Sequence, residues 1–205
     1  MQLVLFTSND KFRSEIYIVI KMLENGLETL HIKKPNFSKK QMTAYINQIP
    51  EKYHRKLIIH SFYSLIFKYN LKGIHISKKF RTKTAQFKTL LFLLRFFNKK
   101  KHISCSCHSI EQLLEIPKFY SYVLLTPVFN HHEMNAKFSK NTLENIIPQL
   151  NFDVYASGGI NLENMYELES IGFKGVSLMG SIWFNDDKQP LANFIDSKNK
   201  LTMLS

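Results

Sequence analysis

An alternation constrains this chain more than any other feature. Short apolar runs recur along its length, and a helix-period segment follows each. The runs are "LVLFTS" (3–8), "ETLHIKK" (28–34), "RKLIIHS" (55–61), "GIHIS" (73–77), "HISCSC" (102–107), "YSYVLLTP" (120–127), "DVYASGG" (153–159) and "GVSLMGS" (175–181). Between them apolar residues repeat every three or four positions, as at Phe12, Ile16, Val19, Ile20 and Leu23. Asn25-Gly26 stops that helix, and Ser38 with Gln41 makes a capping-box pattern that opens the next, to about Ile49. Further helices are predicted over 62–70, 84–97, from Ser109, over 141–150, 162–172 and 191–201. Strands alternating with helices imply a parallel sheet, because parallel neighbours need a crossover. Eight units predict an α/β fold, a single (β/α)8 barrel domain over residues 1–205. An open doubly wound sheet of five to eight strands is the competing arrangement, and the count favours the barrel.

Bulk properties exclude several other classes. Hydrophobic residues make up 44% and charged residues 21%, which suits a packed globular chain and not a disordered one. The longest apolar stretch, "TLLFLLRFF" (89–97), is too short to span a bilayer and carries Arg95. The opening "MQLVLFTSND" has no basic flank or cleavage pattern of a leader, so a cytoplasmic protein with no membrane contact is expected. The net charge of +12 raises nucleic acid or an anionic metabolite as a partner. The charge is scattered in short runs and no nucleic-acid motif accompanies it, so nucleic acid is not expected and a solvated surface is the default reading of the charge. Cys105 and Cys107 lie two apart in one strand, which strains a mutual disulfide; they are expected as small buried or half-buried strand residues.

In such a barrel the functional groups gather where strands end. Those positions hold Thr7-Ser8, His31 with Lys33 and Lys34, His60-Ser61, His75 with Ser77, Ser106 with His108, 126–132, Ser157-Gly158-Gly159 and Gly180-Ser181. Five of the eight ends carry or adjoin a histidine, whereas His54 and His102 fall at strand starts. Gly158 and Gly159 let backbone N–H groups approach an anion, and Gly180-Ser181 offers the same on the next strand with a hydroxyl added. Two such loops side by side point to phosphate. A turn alone would also explain the glycine pair.

With these residues assembled, the chain resembles the thiamine phosphate synthase / TenI family from about Thr29 to Trp183. The resemblance is most specific in "VYASGGINLENMYELESIGFKGVSLMGSIW", and extends to "SCSCHSIEQ", "YVLLTPVF" and "GIHIS". It implies a (β/α)8 barrel that binds a thiazole phosphate. Family members of the synthase type join a pyrimidine diphosphate to that thiazole phosphate with magnesium, releasing pyrophosphate. The phosphate cradle would fall on Gly158, Gly159, Met179, Gly180 and Ser181. Ser106 would lie near the pyrimidine, with His60 and His108 also lining the site.

The diphosphate end departs from the family pattern. The Gln-x-Arg-x-Lys expected after strand two is here His31, Lys33 and Pro35. The Asn-Asp pair after strand three is His60-Ser61, and Phe80 stands at the magnesium-binding Asp. No metal ligand is therefore assigned, and magnesium would enter only on a substrate diphosphate. The Thr-x-Thr-Lys loop after strand six is "NHHEMNAK", with Lys137 as the displaced lysine. "His-Ile-Lys" at 31–33 is closer to the TenI branch, whose members tautomerise a thiazole carboxylate phosphate. That branch places a histidine where Pro127 stands, so proton transfer would pass to His131 or His132. The expected catalytic set is His31, Lys33, His131 and His132. The function is a synthase-like transfer or, as alternatives, a TenI-like tautomerisation or non-catalytic binding of a phosphate ligand. A homo-oligomer is compatible with the sequence.

Overall fold

A computed structural model describes residues 1–8, 14–97, 101–129, 137–184 and 189–204. Eight parallel strands close into a barrel in chain order: β1 (Gln2–Phe6), β2 (Leu30–Ile32), β3 (Leu57–Ile59), β4 (Gly73–Ile76), β5 (His102–Cys107), β6 (Tyr122–Leu125), β7 (Asp153–Ser157) and β8 (Gly175–Leu178). The pairing of β1 with β8, from Gln2↔Gly175 to Leu5↔Leu178, closes the sheet and removes its edges. The open doubly wound arrangement is thereby excluded.

The helices are α1 (Glu15–Glu24), α2 (Lys39–Gln48), α3 (Lys78–Arg81), α4 (Thr84–Phe97), α5 (Ile110–Leu114), α6 (Lys140–Ile146), α7 (Tyr166–Ile171), α8 (Gly180–Trp183) and α9 (Pro190–Leu204). Local chemistry sets some of their ends as the sequence predicts, while the helix expected over 162–172 opens only at Tyr166 and the one expected over 141–150 gives way to a 3-10 turn over Ile147–Gln149. Ser38 and Gln41 form a complete capping box on α2, Ser109 caps α5, and Gly26 takes φ 91° just beyond α1. The segment after β3 differs from expectation: it is a 3-10 turn over Tyr63–Phe67, entered through Phe62 in the left-handed region. Apart from β5, the strands are also shorter than their apolar runs, because polar ends such as Thr7-Ser8 and Lys33-Lys34 have already turned into loops.

Two apolar compartments result. The larger lies between sheet and helices. The smaller is inside the barrel and contains Val4, Phe6, Ile58, Tyr122, Leu124 and Tyr155. Period-two alternation turns these residues inward, and it turns His31, His75 and Ser104 the same way. Cys105 and Cys107 face outward into the larger core as buried free thiols. Across the β1–β8 seam, the indole N–H of Trp183 donates to the Phe6 carbonyl at 2.7 Å. Among the described residues no helix is long and apolar enough to cross a membrane.

Candidate functional site

The ends of β2, β3 and β4 bring three imidazoles together. The register Ile59↔Ile74 sets His60 level with His75 on the neighbouring strand, and their rings stack at 4.3 Å with an 18° tilt. His31 meets both nearly edge-on, at 5.1 Å and 5.4 Å between ring centres. Its Nδ1 is 2.9 Å from His60 Nε2, and its Nε2 is hydrogen-bonded to the Tyr122 hydroxyl from across the barrel. His75 is bracketed by two hydroxyls, Ser104 Oγ at 3.0 Å from Nδ1 and Ser106 Oγ at 3.1 Å from Nε2. His31 and His75 are buried and His60 is half-buried, so the cluster opens through His60.

Burial keeps these rings neutral. Desolvation is the main cause that holds His31 and His60 well below the ordinary imidazole value, with His75 adding to it in both cases. His75 is pushed down to about 3 by the same burial, helped by the charges of Lys33 and Arg81. Such a group is a poor general base: protonating it at pH 7 costs about 5 kcal/mol. It can donate or accept hydrogen bonds and bind electrophiles, but it does not carry charge.

The two lysines after β2 part company. Thr7 Oγ1 accepts the Lys33 N–H at 3.0 Å, which fixes that backbone while the ammonium reaches toward the imidazoles. Lys34 turns away into a buried pair with Glu15 at 2.6 Å, and also donates to the Ser8 carbonyl. The Ser8 N–H completes this knot by donating to Glu15 at 2.9 Å. Lys34 therefore ties Ser8, just after β1, to Glu15 at the start of α1. Arg81, at the end of α3, donates to the Ser106 carbonyl and lies near enough to bear on His75.

On the far side the picture is different. His108, placed in the site from sequence, directs Nδ1 at the Thr126 carbonyl at 3.0 Å and stays apart from the three-imidazole cluster. Lys137 donates to the His108 carbonyl at 3.0 Å on the same rim. Gly158 and Gly159 adopt φ 83° and 68°, and a Cβ on either would meet the chain after β6: Pro127 Cα at 2.8 Å and Phe129 O at 2.6 Å. Packing and backbone conformation thus require both glycines. Gly180 is otherwise, since a Cβ there would meet nothing within 4 Å. Beside it, Ser181 Oγ is buried with no hydrogen-bond partner among the described residues. Met179 packs onto the barrel-interior cluster just below. His131 and His132 lie outside the described residues.

A cavity of about 710 Å³ adjoins the cluster, lined by His60, Ser61, Tyr63, Ser77, Phe80 and Leu90 among others. Phe80 packs edge-on against Tyr63 at 4.7 Å between ring centres, so the position where a magnesium carboxylate was expected is a half-buried aromatic ring in the cavity wall. The segments "KKPNF", "HSFYS" and "SKKF" after β2, β3 and β4 contain no carboxylate. Imidazoles and cations do not fit magnesium, which prefers hard oxygen donors.

The sequence matches the family model described as thiamine monophosphate synthase (TMP-TENI) over residues 3–182. The chain belongs to the thiamine monophosphate synthase family. Among similar proteins, thiamine-phosphate synthase of Dictyoglomus turgidum is 24% identical over 178 residues, 83% of this chain and 76% of that one. The enzyme of the same name from Clostridium tetani is 24% identical over 193 residues, 90% and 89% of the two chains. The crystal structure of thiamine phosphate pyrophosphorylase from Bacteroides thetaiotaomicron superposes with a TM-score of 0.80 at 27% identity, covering 99% of this chain and 98% of that one.

Within this thiamine monophosphate synthase frame, sequence reasoning assigned no role to four residues that the geometry brings in. His75 was visible as a strand-end histidine. Ser104 and Tyr122 could have been found from the inward alternation of "HISCSC" and "YSYVLL". Arg81 had no sequence signal, because its approach depends on the four-residue helix α3.

Proposed function

We propose that this family member binds a thiazole phosphate at the ends of β7 and β8 and carries out synthase-type transfer from a pyrimidine diphosphate. The observation that carries the phosphate assignment is Ser181 Oγ. A buried hydroxyl without a partner costs about 1–3 kcal/mol, and a phosphate oxygen would satisfy it. The open space at Gly180 gives that oxygen room. Gly158, Gly159 and Met179 shape the wall beside it. Lys33 and Arg81, with Lys137 on the rim, would face the diphosphate and offset charge developing on pyrophosphate as it leaves. Ser106 and His60 would contact the pyrimidine end. Magnesium would arrive only as a counter-ion of the substrate diphosphate. No membrane or nucleic-acid role enters this reading, and a cytoplasmic location follows from it.

A second reading, TenI-like tautomerisation, is favoured by the direct His31–His60 contact at 2.9 Å: a relay through the pair gives up a proton at one end as it takes one up at the other, so neither ring is left charged. In that reading His131 or His132 makes the first proton transfer. Calorimetry with thiazole phosphate and pyrimidine diphosphate, each with and without magnesium, separates the cases. Binding of the first ligand, weakened about tenfold in Ser181→Ala, supports the cradle; equal binding by Ser181→Ala refutes it. Turnover of both ligands to thiamine phosphate establishes the synthase. Conversion of a thiazole carboxylate phosphate establishes the tautomerase, and binding with neither turnover leaves a non-catalytic ligand protein.

A further inference from the structure

The three-imidazole cluster has a use that neither reading above assigns. We propose that His31, His60 and His75 hold a nitrogen-preferring divalent transition metal of the zinc class, with one coordination position open to an anionic oxygen at the barrel mouth.

The donor geometry carries this. One nitrogen from each ring lies within 4.8 Å of the other two. Zinc–imidazole bonds of 2.0–2.1 Å place ligand nitrogens about 3.3 Å apart in a tetrahedral site. His31 and His60 are already at 2.9 Å, so they need only separate slightly. The widest pair must close by at most about 1.5 Å. Because the His60 and His75 rings stack with an 18° tilt, their in-plane lone pairs run side by side, and one of the two rings must also turn to aim at the ion. All three residues project from adjacent strands, so the frame that holds them is rigid. Three imidazoles and an open position form a common catalytic donor set for zinc, and imidazole also suits cobalt and nickel.

The surroundings match a metal's outer shell. The Tyr122 hydroxyl holds His31 Nε2, which leaves Nδ1 to face the other rings. Ser104 and Ser106 bracket His75, so one can keep its ring oriented while the other gives way to the ion. Neutral rings are the ligating form. Lys33 and Arg81 oppose a bare dication, and they favour one that carries an anionic oxygen in its fourth position. His60, half-buried, puts that position on the side of the 710 Å³ cavity.

The test needs no organic substrate, so it does not depend on the thiazole reading. Chelator-stripped protein is titrated with Co²⁺, followed by visible absorption, and then with Zn²⁺ in competition. The expected result is one bound Co²⁺ with the intense bands of a four- or five-coordinate site, displaced by Zn²⁺ and shifted by added inorganic phosphate. Tyr122→Phe should weaken binding about 10- to 100-fold. His60→Ala should abolish it with circular dichroism unchanged, and His131→Ala/His132→Ala should retain it. No binding by the stripped protein, full binding by both His60→Ala and His75→Ala, or loss in His131→Ala/His132→Ala would each overturn the proposal. Absence of a phosphate shift would remove the open position.

Discussion

Lowering the pH of the chelator-treated protein from 7 to 5 should destabilise it through His75. The unfolded chain takes a proton on this residue as pH falls through 6.5, whereas the folded chain resists until about 3. Stability from this group is therefore complete above 6.5 and drains away as pH falls toward 3. Integrated from pH 7 to 5, the loss is about 2 kcal/mol, or roughly 30-fold in the folding equilibrium. His31 and His60 are depressed by the same burial and act in the same direction. Urea denaturation followed by circular dichroism at pH 7, 6 and 5 measures the loss. The His75→Gln variant isolates it: whatever its stability at pH 7, its drop on acidification should be smaller than that of the parent by about 2 kcal/mol. An equal drop in both proteins would show that the ring is not held neutral by burial, and the electrostatic account of the cluster would fail.

Other perturbations follow from the same structure. Lys34→Met strands Glu15 as a buried, unpaired carboxylate and should cost about 3–5 kcal/mol in urea denaturation; Lys34→Met combined with Glu15→Gln should recover most of it. Gly159→Ala forces a side chain into the left-handed region and onto the Phe129 carbonyl, so a loss of at least about 1–2 kcal/mol is expected by thermal or urea melts. Gly180→Ala meets open space and should leave stability within about 0.5 kcal/mol while weakening thiazole phosphate binding in calorimetry.

The barrel was legible because burial on both faces of a parallel sheet writes short apolar runs, and helices between them write a second period. The strand count and the α2 capping box follow from local chemistry. The site was legible only in part. His31 and His60 stand at strand ends and announce themselves. His108 stands in an equivalent position, yet its ring satisfies a loop carbonyl, and residue type alone does not reveal which of the two a histidine will do. Lys33 and Lys34 are adjacent and identical in the sequence. Just past the end of β2 the two side chains diverge, one toward the imidazoles and the other into a buried pair with Glu15, a partner 19 residues back. Gly158 and Gly159 were read as ligand-facing, while their conformations and their contacts with 126–129 supply a packing reason for each. The hydroxyl most in want of a ligand, Ser181, looked like an accessory to the glycine beside it.

The Trp183–Phe6 hydrogen bond offers a clock for the last stage of assembly. It joins residues 177 apart in the chain, across the seam where the first strand meets the eighth. Contacts of such separation carry the largest loop-closure cost, so the seam should zip after the neighbouring strand pairs have formed. Trp183 is the chain's one tryptophan. Its emission in stopped-flow refolding should therefore lag the far-ultraviolet signal of helix formation, reporting ring closure as an event separate from the growth of the arc.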